Sequence, residues 1–258
     1  IVQLRQESKV LSHHLSGPRF GLTEKQGVPW LYIRSMMEYE NDYYDYDDII
    51  DTAKNLRKKP YFVLDLRGNT GGSMYVMKHW LEEFFGKSVS VHAKHLYLFS
   101  DTSMAFLQDT LDMYKGHGIT MRAFEEYSDL FRIEEMKELP EPRWEVEEQP
   151  LGKITDNDTH IFILTDNNTG SAAEHLVASL KNVNNTTVIG MNTMGSMISG
   201  NALKWQLPNT TIEILVPTFF NYSPDLLEKE GVGIQPDLWV RPDRAEQRVL
   251  NLIMKNTK

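Results

Sequence analysis

Thr159-His160-Ile161-Phe162-Ile163-Leu164 runs through Thr165 into Asp166-Asn167-Asn168-Thr169-Gly170-Ser171, and then into Ala172-Ala173-Glu174-His175-Leu176-Val177. The first stretch is a compact apolar run closed by turn-forming residues, which predicts a strand buried on both faces. Ala173, Leu176, Val177 and Leu180 then recur at helical spacing, so a helix is predicted from Ser171 to Asn182. The order strand, loop, helix sets Ser171 at or near a helix N-terminus, at the end of a buried strand. Free N–H groups and the helix dipole favour developing negative charge there. The Ala172 N–H is a natural donor to the oxygen of a tetrahedral intermediate. The plainer alternative is that Ser171 only caps the helix, since serine is a favoured cap.

The same succession occurs upstream. Tyr61-Phe62-Val63-Leu64-Asp65-Leu66 predicts a second buried strand. It stops at Arg67-Gly68-Asn69-Thr70-Gly71-Gly72, and a helix is predicted from Met74 to Phe85, ending at Gly86. The glycines allow a sharp turn and close approach of backbone to a ligand. The turn fits neither the dinucleotide fingerprint nor the P-loop. It is either a plain tight turn or a second source of backbone N–H groups facing Ser171.

Further strands are predicted over Trp30–Met37, Thr186–Gly190, Asn201–Leu207 and Thr211–Val216, and a short helix over Asp47–Lys58. Residues 100 to 138 read as mostly helical, and residues 86 to 150 as a helical insertion. Gly231 to Asp237 reads as a turn-rich segment. Strands repeatedly followed by helices imply an α/β domain.

Composition narrows the function classes. The 258 residues carry 27 Lys+Arg against 36 Asp+Glu, a formal charge of −9, without a basic run to suit nucleic acid. The absence of cysteine removes disulfides, thiolate metal sites and cysteine nucleophiles. No apolar run approaches the length of a membrane span. The acidic, tyrosine-rich run Glu38–Asp48 lacks the spacing of an EF-hand and reads as a solvated rim rather than a calcium site. No metal or cofactor is implied. The chain opens on Ile1, which suggests a fragment or a processed form with any targeting segment upstream. Asn-x-Ser/Thr triplets at Asn167, Asn185, Asn209 and Asn221 are of the kind that Asn-rich chains produce by chance.

Taken together, these stretches resemble a family. Leu64 to Gly72 looks like the Asp-Leu-Arg-Gly-Asn-x-Gly-Gly block of the S41 serine peptidases, the C-terminal-processing or tail-specific group. Thr169-Gly170-Ser171-Ala172-Ala173-Glu174 looks like their nucleophile block. Val188-Ile189-Gly190 followed by Thr193 and Gly195 resembles their Val-Gly-x-x-Thr-x-Gly block. Leu207-Pro208-Asn209 resembles their Leu-Pro-Asp/Asn-Gly element, with Thr210 in place of the glycine. Gly231 to Asp237 resembles their closing Pro-Asp block. The blocks fall in family order over roughly residues 30 to 242.

The resemblance implies a spiral of β-β-α units similar to the ClpP and crotonase folds. Residues 1–29 would be a lead-in, the exit from an upstream PDZ domain, and residues 30–258 the peptidase core with an insertion at about residues 86–150. It implies an acyl-enzyme on Ser171 and an oxyanion hole from Ala172 with Gly71 or Gly72. Glu174 would lie near the active serine. Extended or unstructured polypeptide would be the substrate, in an extracytoplasmic setting such as a bacterial periplasm or cell envelope.

The chain departs from the family at the general base, which a serine hydroxyl needs. Bacterial members carry a lysine directly after the Thr-x-Gly block, where this chain has Ser196. Tricorn-type members carry a histidine after Tyr-Ile, where this chain has Arg34, and arginine does not deprotonate. His175, Lys204, His79, His92 and His95 are the substitutes to weigh. A catalytically inactive, peptide-binding relative is therefore the alternative to a peptidase. An acyl-CoA-type enzyme is a third reading, from fold kinship alone.

Overall fold

The computed structural model describes residues 18–36, 46–87, 94–105, 141–148, 157–200, 203–207, 209–223 and 229–256. The chain divides into two compact units. The first comprises Ile1–Val91, Leu151–Met197 and Glu228–Lys258, and the second His92–Pro150 and Ile198–Leu227.

The first unit is a mixed α/β structure around a six-stranded sheet. Its strands are β1 (Phe20–Lys25), β2 (Val28–Ile33), β3 (Tyr61–Asp65), β6 (His160–Thr165), β7 (Thr186–Gly190) and β12 (Leu238–Trp239), in that spatial order. Only β1 is antiparallel to its neighbour; every other pairing is parallel. Parallel strands need cover on both faces, and their alternating side chains provide two apolar surfaces. Val63, Phe162, Leu164 and Ile189 pack with Ala245, Val249, Leu250 and Ile253 of helix α4 (Pro242–Asn256). On the opposite face Phe62 meets Trp80 and Phe84 of helix α2 (Met74–Phe85), at ring separations of 6.3 and 5.7 Å. Helix α1 (Tyr46–Leu56) packs against α2, and helix α3 (Ala172–Lys181) follows β6.

The second unit holds a four-stranded antiparallel sheet in the order β5 (Arg143–Glu148), β4 (Lys94–Phe99), β11 (Phe219–Tyr222), β8 (Ser199–Gly200). A separate hairpin pairs β9 (Leu203–Gln206) with β10 (Glu213–Val216).

The sheet and helices agree with the α/β class expected from sequence, with particular differences. The strand predicted over Trp30–Met37 is shifted and ends at Ile33. The lead-in contributes β1 to the core sheet from Phe20 onward. The segment expected to be a helical insertion contains β4 and β5, paired over their whole lengths, alongside a helical turn at residues 101–105. The helical reading of residues 106–138, the acidic rim over 37–45, the lead-in residues 1–17, His92 and the Lys204 side chain lie outside the described residues.

Candidate active site

Ser171 stands between β6 and α3 with φ 50° and ψ −123°. That region is costly for a residue with a Cβ and persists only where its surroundings enforce it. The enforcement comes from two loops laced together. Asp166 Oδ1 accepts the N–H groups of Gly68 and Asn168, each at 3.0 Å. Thr169 Oγ1 donates to the Leu66 carbonyl at 3.0 Å. Gly170 N–H donates to the Asn69 carbonyl at 2.8 Å. The Ser171 loop and the glycine turn predicted to face it are thus one hydrogen-bonded body.

In the glycine turn, Gly71 packs directly under the serine. A Cβ built there would lie 2.7 Å from Ser171 Cβ and 2.9 Å from Ala172 N, and its φ of +99° already disfavours a side chain. The Gly71 N–H is engaged, donating to Asn69 Oδ1 at 2.9 Å. Its carbonyl accepts the Met36 N–H at 2.9 Å, and the Ser73 N–H donates to the Met36 carbonyl at 2.7 Å. In a trans peptide the N–H points opposite to the C=O, so the Gly72 N–H points away from Met36. Gly72 is exposed, and its N–H makes no hydrogen bond among the described residues. The same holds for the Ala172 N–H, the first of α3. Of the residues expected to form an oxyanion hole, Ala172 and Gly72 offer free donors among the described residues, and Gly71 lies close against Ser171 and Ala172.

Glu174 is fully buried and its carboxylate is the hub of the site. Oε1 accepts from Thr193 Oγ1 at 2.5 Å and Gly195 N–H at 2.7 Å. Oε2 accepts from Ser171 N–H at 3.1 Å, Ser196 N–H at 2.8 Å and Ser196 Oγ at 3.3 Å. Ser171 and Ser196 therefore share one carboxylate oxygen. Thr193 extends the network, its Oγ1 accepting the Ile234 N–H at 2.7 Å. Farther along, Asp237 accepts the Val188 N–H at 2.7 Å and pairs with Lys181 at 2.9 Å, tying the closing block to β7 and α3.

Arg34 is locked in place. Its guanidinium reaches Asp65 Oδ2 at 2.9 Å and the carbonyls of Asp65 and Arg67. Arg67 grips the same carboxylate at 2.8 and 2.7 Å. Burial alone would push the Asp65 carboxyl upward, but the two guanidinium groups outweigh it and hold it well below the usual carboxylate range.

Among the described residues no side-chain nitrogen is hydrogen-bonded to Ser171 Oγ. His175 is buried on α3. His79 pairs with Glu82 at 3.1 Å, and His95 bonds Asn221 at 2.7 Å within the second unit. In the sequence Asn69 and Thr193 are members of the family-like blocks, with nothing local to assign them a task. Only the fold shows that one holds the glycine turn and the other holds Glu174. Among the described residues, no group of His, Asp or Glu is arranged to hold a metal ion, and no helix is long and apolar enough to cross a membrane.

Residues 30–240 match the profile of peptidase family S41. No curated protein sequence gives a significant match. Among solved structures, a point mutant of CPAF superposes with a TM-score of 0.52 at 13% identity, covering 89% of this chain and 50% of that one. A candidate peptidase from Parabacteroides merdae ATCC 43184 gives 0.50 at 15%, covering 90% and 63%. The photosystem II D1 C-terminal processing protease gives 0.47 at 12%, covering 89% and 50%. The chain thus spans between half and two thirds of the length of these structures, and at such identities the likeness is one of fold. With the family profile matched over most of its length, the chain belongs to peptidase family S41.

Proposed function

We propose that this chain is a serine-type peptidase core that cleaves extended polypeptide through an acyl-enzyme on Ser171. The observation that carries the reading is Ser171 at φ 50°, directly above Gly71 and next to the free Ala172 N–H. Backbone strain of this kind is retained where a fold presents a reactive group. In this reading Ser171 Oγ attacks the scissile carbonyl carbon and its proton passes to a base. The carbonyl oxygen takes up negative charge facing the Ala172 and Gly72 N–H groups. Collapse expels the amine of the following residue, which takes up the proton the base had accepted. Water then attacks the acyl group, giving one proton to the base, and the base returns it to Ser171 Oγ as the acid leaves. Glu174 touches no substrate; it fixes the Ser171 and Ser196 backbones. Family membership supports a peptidase, and the extracytoplasmic setting rests on the family resemblance.

The rival reading is a non-catalytic peptide-binding relative, favoured by Ser196 at the lysine position and by Arg34 bound to Asp65. A fluorophosphonate probe separates the two. An activated serine takes the phosphonyl group with loss of fluoride, and labelling disappears in Ser171→Ala. Mass mapping of the adduct to any other residue, or no adduct at all, removes the peptidase reading.

A further inference from the structure

Three chain segments converge on the Asn69 side chain and backbone. The residue is fully buried. Its Nδ2 donates to the Ile33 carbonyl at the end of β2, at 3.0 Å. Its Oδ1 accepts the Gly71 N–H at 2.9 Å, and its carbonyl accepts the Gly170 N–H, just before the serine, at 2.8 Å. Its own N–H donates to the Leu66 carbonyl at 3.1 Å. Every principal hydrogen-bonding group of the residue is occupied, with partners at the end of β2, at both ends of its own turn and just before Ser171.

We infer that Asn69 is a positioning residue of the oxyanion hole: it withdraws the Gly71 N–H and leaves the Gly72 N–H as the donor opposite Ala172. The inference rests on the reading of Ser171 as nucleophile. A two-glycine turn carries two N–H groups, and a substrate oxygen meeting both in interchangeable poses would be held less tightly. The Asn69 amide removes that choice. Oδ1 binds the Gly71 N–H, while Met36 takes the Gly71 carbonyl and the Ser73 N–H from the other side. The Gly71–Gly72 peptide is therefore held from both ends, with only its N–H unspent. The Gly170 bond sets the height of the turn beneath the serine. Asn69 thus fixes both the identity of the donor and its distance from Ala172. Preorganised donors of this kind stabilise charge without moving at the moment of reaction.

The test uses the full chain with its glycines labelled with nitrogen-15. Amide exchange in the unmodified protein should show Gly71 protected and Gly72 fast, a difference of about tenfold or more. In Asn69→Ala the Gly71 amide should become fast while the amides of β3 and β6 stay protected. Fluorophosphonate kinetics form the second arm. Asn69→Ala should lower the maximal labelling rate about a hundredfold, the penalty for a misplaced group. The concentration for half-maximal rate should change little. Asn69→Asp, which keeps an acceptor for the Gly71 N–H, should recover part of the rate, and the exposed Thr70→Ala should label as the unmodified protein does. A merely structural Asn69 would instead lower melting temperature and labelled fraction without this split. Equal exchange of Gly71 and Gly72 in the unmodified protein overturns the inference, whether or not any variant folds. So does undiminished labelling in Asn69→Ala. If the unmodified protein never labels, the peptidase reading falls, and the amide-exchange arm alone still decides whether Asn69 selects the free donor.

Discussion

At the scale of single residues, the site is defined as much by missing atoms as by present ones. Gly71→Ala puts a methyl group where Ser171 Cβ and Ala172 N already lie within 2.9 Å, at a φ that resists any side chain. The expected result is a folded protein, less stable by about 1–3 kcal/mol, with labelling slowed at least about a hundredfold. Thermal melts and probe kinetics read the two effects separately, and full labelling would remove the glycine turn from the site. Ser196 offers the opposite experiment. Its N–H and hydroxyl meet the same Glu174 oxygen that holds Ser171. Ser196→Lys should bring an amine alongside the serine, and partial desolvation would lower its pKa toward the working range of a base. Labelling or peptide hydrolysis should rise, with an alkaline optimum. A fall in a protein that already cleaves peptide would show that another group is the native base.

At the scale of elements, buried carboxylates fasten one piece of chain to the next. Glu174 joins α3 to the 193–196 loop, and three of its partners are backbone N–H groups that can only donate. Glu174→Gln turns an NH₂ group toward such a donor. It should lower unfolding free energy by about 1–3 kcal/mol, measured by urea titration, and slow any labelling. Asp65 binds the end of β2 to the turn after β3 through Arg34 and Arg67. Its folded-state pKa lies below the unfolded value of about 3.9, so its contribution is present above that value. The contribution disappears as pH falls toward the folded-state value. Asp65→Asn should cost about 3–5 kcal/mol at neutral pH, and the gap from the unmodified protein should narrow in urea titrations carried into acid.

Elements were legible in the sequence where burial is two-sided. β3 and β6 are apolar runs stopped by turn residues, β7 is a short β-branched stretch closed by Gly190, and α2 ends at Gly86 in the left-handed conformation. β1 is largely solvent-exposed and pairs on one side only, so it carries no apolar signature. β5 is likewise exposed along most of its length. Helix α4 has a readable signature: Ala245, Val249 and Ile253 recur every fourth residue after a proline start. In the site, the nearness of Ser171, Ala172 and Glu174 follows from helix periodicity. The work of Asn69 does not, because it depends on Ile33, 36 residues away, and on Gly170 from another strand–helix unit.

At the scale of the molecule, the chemistry sits above a sheet covered on both faces. α4 is remote in sequence from the serine loop, yet it shields Phe162 and Leu164 of β6, the strand that delivers that loop. Leu250→Ala should reduce stability by about 2–5 kcal/mol. Below its melting temperature the variant should label at the unmodified rate, as calorimetry and probe kinetics together would show. A specific loss of labelling in the folded variant would mean that the helix does more than cover the sheet.

The Thr193–Ile234 bond has a consequence for the protein's birth. Ile234 leaves the ribosome 41 residues after Thr193, and β12 later still. At about 5–20 residues per second, Ser171 and Glu174 emerge seconds before the segment that braces Thr193 against them. A nascent chain thus carries the serine without its full support, and the network around Glu174 is completed only when the closing block arrives. On the proposed reading, the protein cuts chains like those beside which it emerges, its own included. The order of its segments delays the full support of Ser171 until almost the whole core has been made.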